Sequence, residues 1–79
     1  MPTTAYVLIE AASDKAKGAL KAIAKIPGVK MAHAVTGPYD IIAFVEAQDV
    51  DALSRVVLSK IRTISGVTKT LTCVVIDVN

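Results

Sequence analysis

The sequence predicts an α+β sandwich: a four-stranded antiparallel sheet with two helices on one face, in the order β-α-β-β-α-β. Three observations predict it. Two stretches with apolar residues at helical spacing, each stopped by a glycine, alternate with short β-branched and aromatic runs. A Thr36-Gly37-Pro38-Tyr39 break separates two of those runs at hairpin length. The tetrad Ile26-Pro27-Gly28-Val29 returns as Ile64-Ser65-Gly66-Val67, 38 residues on, each time where a helix hands over to a strand. Two such halves make the ferredoxin-like split βαβ arrangement, with spatial strand order 4-1-3-2.

Each element has its own signal. Residues 5–10, from Ala5 to Glu10, are short, aromatic and β-branched and read as the first strand. Ser13 or Asp14 is expected to cap the helix that follows. Its apolar stripe is Ala16, Leu20, Ile23 and Ile26, its polar stripe Asp14, Lys17, Lys21 and Lys25, and Pro27-Gly28 ends it. Residues 29–36 form a second strand with Val29, Met31, His33 and Val35 on one face, and residues 40–46 a third. Asp49 caps the second helix, whose buried face is Val50, Leu53, Val57, Ile61 and Ile64 before Ser65-Gly66 stops it. Residues 67–78 are the last strand, on which Thr68, Thr70 and Thr72 alternate and so share a face.

Composition narrows the class. Seventy-nine residues allow one domain, residues 1–79, and 53% hydrophobic content excludes a disordered tail. A net charge of +2 is far from that of a protein that lives on phosphate backbones, so no direct nucleic-acid partner is expected. One cysteine and one histidine exclude a disulfide framework and a thiolate zinc site; no metal and no cofactor are expected. The longest uncharged apolar run, residues 41–45, is far short of the ~20 residues that span a membrane. Met1-Pro2-Thr3-Thr4 has no signal-peptide character, and a lone thiol suits the cytoplasm.

Two helices cover one sheet face, and an antiparallel sheet with one wet face alternates apolar with polar residues. Here Tyr6-Val7-Leu8-Ile9, Ile41-Ile42-Ala43-Phe44-Val45 and Val74-Val75-Ile76 are apolar on both. The expected cover is the same face of a second copy, in a two-fold dimer.

Few residues carry chemistry. His33 lies among apolar neighbours at period two and reads as a packed histidine; Cys73, mid-strand, reads as a small buried hydrophobe. The Val35-Thr36-Gly37-Pro38-Tyr39-Asp40 segment is either an ordinary hairpin turn or the rim of a polar pocket. In the second case Thr36 offers a hydroxyl, Gly37 an approachable backbone and Asp40 a partner for an ammonium group. Thr68, Thr70 and Thr72 are either good strand formers or a short hydroxyl ladder.

Over nearly its whole length the chain resembles the effector domain of the Lrp/AsnC family, the RAM domain. The resemblance rests on Ala34-Val35-Thr36-Gly37-Pro38-Tyr39-Asp40, on Ile61-Arg62-Thr63-Ile64-Ser65-Gly66-Val67, and on Thr70-Leu71-Thr72. Family regulators carry a helix-turn-helix domain ahead of this region. Here the first strand starts close to Met1, so the chain is expected to be a stand-alone RAM domain. The resemblance implies a non-enzymatic, amino-acid-binding and oligomerisation module of transcription regulation. It implies a homodimer through sheet faces, a higher oligomer such as an octamer, and full-length Lrp/AsnC regulators as partners. It places the amino acid between dimers, with Thr36, Gly37, Tyr39 and Asp40 as one wall and Thr70 and Thr72 of an adjacent subunit as the other. Pro38 stands where many members have a polar residue, which stiffens the turn. Two readings from other classes remain at this point: a small dimeric enzyme of monooxygenase or isomerase type using His33, Tyr39 and Asp40, and a scaffold that binds nothing.

Overall fold

The computed structural model describes residues 2–78. Strand β1 (Thr3–Ala11) leads to helix α1 (Ala16–Ala24), then to the hairpin of β2 (Val29–Ala34) and β3 (Ile41–Ala47). Helix α2 (Val50–Arg55) runs on as a π-helical stretch, Val56–Ile61, before β4 (Val67–Val74). The antiparallel sheet has the order β2-β3-β1-β4, which is the predicted 4-1-3-2 read from the other edge.

The core is one apolar layer between sheet and helices. Ala5, Val7, Ile9 and Ala11 of β1 meet Ile41, Ala43 and Val45 of β3. Ala19 and Ile23 of α1 and Leu53, Val57 and Ile61 of the second helix close over them, with no polar side chain buried among the described residues. Each large aliphatic side chain so buried contributes about 1.5–3 kcal/mol relative to exposure. Leu53, Val57 and Ile61 recur at strict four-residue steps, which overshoot an α-helical turn by about 40° each. The wider π turns, marked by the Arg62 N–H donating to Val57 O at 2.9 Å, undershoot, so the two together keep the stripe on the sheet.

The repeated tetrads form equivalent turns. Val29 N–H donates to Ile26 O and Val67 N–H to Ile64 O, while Gly28 and Gly66 take φ of +97° and +95°, as the third residue of a type II turn requires. One residue beyond each valine the strand bulges. Val29 pairs with Val45 but Met31 with Phe44; Val67 pairs with Ala11 but Lys69 with Glu10. Lys30 and Thr68 are the extra residues.

Those bulges correct two expectations. Val29 packs on the helix side, whereas Met31 and His33, across from Phe44 and Ile42, lie on the outer face. Thr68 parts from Thr70 and Thr72: its hydroxyl donates to the Glu10 carbonyl and carboxylate. An extra residue inverts the alternation on either side of it.

The ends of the elements differ too. Neither Ser13 nor Asp14 caps α1; Lys15 holds the cap position without a side-chain bond, its N–H donating to Ala12 O. Asp49 does cap α2, accepting from Ala52 N–H at 2.8 Å. Val50, in the first turn, is exposed rather than buried. Strand β4 ends at Val74, and Ile76 stands exposed beyond it.

Gly66 has a positive φ, and a β-carbon there would collide with the Lys15 side chain. Gly66→Ala is therefore expected to lower unfolding stability by about 1–3 kcal/mol. Gly18 sits inside α1 with nothing around the space a β-carbon would fill, so Gly18→Ala is expected to add about 0.5–1 kcal/mol. Urea denaturation of the two variants checks both signs.

Candidate functional site

The β2–β3 loop is held by its last residue. Asp40 accepts the Ala11 N–H on Oδ2 at 2.8 Å, donates its own N–H to Ile9 O at 2.9 Å and accepts the Val35 N–H at 2.9 Å. The backbone carbonyl of Asp40 thus closes the four-residue loop, while its N–H and its half-buried carboxylate tie the loop to the end of β1. Asp40 orients the turn in this structure, which is one of the two roles its chemistry allows.

The rest of the loop stands proud of the sheet. Thr36 is exposed, Tyr39 half-buried, and Gly37 has φ +115° with open space around it, so its backbone is approachable. Only glycine takes that φ without strain.

Thr70 and Thr72 lie elsewhere. They face the helix side of β4, opposite Ile9 and Val7, and line a groove of about 360 Å³ between that strand and the second helix. Its other wall is Val50, Ser54, Leu58 and Arg62, with Leu53 and Val57 at the floor. Sequence reasoning missed that wall. Its signal was the four-residue spacing of those four residues, one position round from the buried stripe. The groove is largely apolar, with Arg62, Ser54 and the two threonines as its polar groups.

Within one chain the loop and the threonine ladder do not converge: β1 stands between them in the sheet, and the groove beside Thr70 and Thr72 contains no residue of the loop. Nor do His33, Tyr39 and Asp40 share a cavity. His33 is exposed on the outer face opposite Ile42, while Tyr39 and Asp40 belong to the loop.

The outer face of the sheet is a broad apolar surface. Tyr6, Met31 and Leu71 are 44%, 51% and 46% exposed, with Leu8, Ile42 and Phe44 among them. Tyr6 and Phe44, on the two central strands, meet with 4.9 Å between ring centres and their planes tilted by 52°. Cys73, opposite Tyr6, is exposed on this face rather than buried, since nothing in the chain covers it.

Comparison with known proteins gives this geometry a family. Residues 4–78 match the Lrp/AsnC ligand binding domain. A Pyrococcus furiosus protein described as an uncharacterised HTH-type transcriptional regulator is 41% identical over 75 residues, which are 91% of this chain and 50% of that protein. The chain spans about half the length of the curated regulators it matches. TTHA0845 of Thermus thermophilus, at 36% identity, superposes with a TM-score of 0.92 over 98% of this chain and 96% of that one. The L-Met complex of the Neisseria meningitidis transcriptional regulator NMB0573 shares the fold, with a TM-score of 0.85 at 23% identity over 95% of this chain and 50% of that one. A family match across nearly the whole chain, on the predicted fold, makes this protein a member of the Lrp/AsnC ligand binding domain family, a family of regulatory domains.

Proposed function

We propose that the protein is a stand-alone effector module that pairs through the outer face of its sheet and binds an amino acid between pairs. The observation that carries this reading is the separation of the two candidate walls. Thr36, Gly37, Tyr39 and Asp40 lie on one side of β1, and Thr70 and Thr72 on the other, so a small ligand that touches both sets has to sit between copies. The exposed apolar face supplies a reason for copies to associate.

The chemistry of the walls suits an amino acid. The free backbone around Gly37 meets a carboxylate, and the threonine hydroxyls and the second Asp40 oxygen meet an ammonium group. The L-Met complex of the Neisseria regulator lends the ligand class support by analogy of fold. Binding between copies makes the effector a regulator by linkage: it stabilises whichever assembly forms its site. The nearly equal extent of TTHA0845 supports a module that works as a chain of its own. Full-length regulators that carry the same domain are the proposed partners, joined in mixed oligomers. Its proposed setting is the cytoplasm.

Thermal melting with each of the twenty amino acids tests the reading. At least one is expected to raise the melting temperature and shift the assembly measured by light scattering; no response to any of them contradicts it. Asp40 separates its two roles. Asp40→Asn keeps an oxygen for Ala11 and is expected to fold normally but to weaken the amino-acid response about tenfold or more. Asp40→Ala leaves that N–H without its partner and is expected to cost about 1–3 kcal/mol of stability as well, read by urea denaturation.

A further inference from the structure

The groove between β4 and the second helix has two walls of different chemistry. Thr70 and Thr72 form one, and Ser54, Leu58 and Arg62 form the other, over a floor that includes Val57. Arg62 is the one charged residue that lines it, and no carboxylate does. Among the described residues the side chains of Arg62, Ser54, Thr70 and Thr72 make no hydrogen bond and no ion pair. Four unpaired polar groups thus converge on about 360 Å³ of otherwise apolar space, which is the makeup of a small-ligand site.

Helix geometry builds the far wall. Ser54, Leu58 and Arg62 recur every four residues. In a regular α-helix each such step turns by about 40°, which would carry Arg62 about 80° round from Ser54. The π-helical stretch Val56–Ile61 takes that rotation back, so all three line the groove. Leu58 is 55% exposed there, a large apolar side chain left open beside an open cation.

We infer that the groove receives the side chain of the effector, that this side chain ends in a carboxylate, and that Arg62 selects it. The inference rests on the amino-acid reading above and names the class of amino acid. In that reading Gly37 and Asp40 of a second copy and the threonine hydroxyls hold the carboxylate and ammonium group that every amino acid has. The side chain then crosses from the threonine wall to the helix wall. Its methylenes lie against Val57 and Leu58, and its carboxylate accepts from the Arg62 guanidinium and the Ser54 hydroxyl. A planar guanidinium meets both oxygens of a carboxylate with parallel N–H bonds, which the single oxygen of an amide cannot match. An aliphatic side chain fills the floor and leaves Arg62 unpaired. A lysine or arginine effector sets cation against cation, with no carboxylate in the groove to receive it.

Thermal melting at matched ionic strength tests the assignment, with each of the twenty amino acids on the unsubstituted protein and on Arg62 variants. Glutamate or aspartate is expected to give the largest rise in melting temperature. Arg62→Met keeps an unbranched stem at an exposed position, so its urea denaturation is expected to match that of the unsubstituted protein. Its half-saturating concentration of the acidic amino acid is expected to rise about tenfold or more. Arg62→Glu is expected to move the preference from the acidic amino acids to lysine. A larger response to a neutral or basic amino acid on the unsubstituted protein overturns the assignment and leaves the amino-acid reading standing. An acidic response that Arg62→Met leaves unchanged does the same. Silence towards all twenty overturns the amino-acid reading, and this assignment with it.

Discussion

Two short helices cover one face of a four-stranded sheet and cannot reach the other. The structure of this chain follows from that limit. Everything fully buried lies in the single layer between helices and sheet, and it is all apolar: alternate residues of β1 and β3, two residues of α1, three of the second helix. The residues between them, Tyr6, Leu8, Ile42, Phe44 and Leu71, are apolar as well and point the other way. Among the described residues nothing lies over them. The same limit accounts for the exposure of His33 and Cys73, which sit on the bare face rather than in a core.

The two halves of the molecule are built alike, and the likeness reaches beyond the repeated tetrads. Each helix ends in a turn through a positive-φ glycine, and the carbonyl of that glycine accepts an N–H from the end of a neighbouring strand: Glu46 for Gly28, Ala12 for Gly66. Each turn is followed by one bulged residue. The fold, its strand order and both helices were legible in the sequence because hydrophobic period, glycine stops and the repeat all agree. What simple alternation misassigned was the face of Val29 and of Thr68, because a bulge leaves no mark in an alternating pattern. The π-helical stretch was equally hidden, although the four-residue spacing of Leu53, Val57 and Ile61 was its trace. The cap of α1 was misread because Ser13 and Asp14 fall in the turn ahead of it.

The candidate site was legible as motifs and not as a place. Thr36, Gly37, Tyr39 and Asp40 stand together in the chain and in the loop, and Asp40 has a visible task in holding that loop to β1. Thr70 and Thr72 proved to face the helices across an open groove, with Arg62 and Ser54 as neighbours that no local pattern had tied to them. Which residues meet across a sheet depends on register, and register is set by turns and bulges distant from the motif itself. A site assembled from two copies is further from the reach of one sequence, since the second wall is then supplied by symmetry.

The claim on which this account rests is that the outer face is covered by a second copy. Its most direct test is the solution mass of the unmodified protein by light scattering across a range of concentrations. The account predicts twice the 8.3 kDa chain mass or a larger even multiple, held down to low micromolar concentration. A monomer at every concentration would contradict it and leave the apolar face without an explanation.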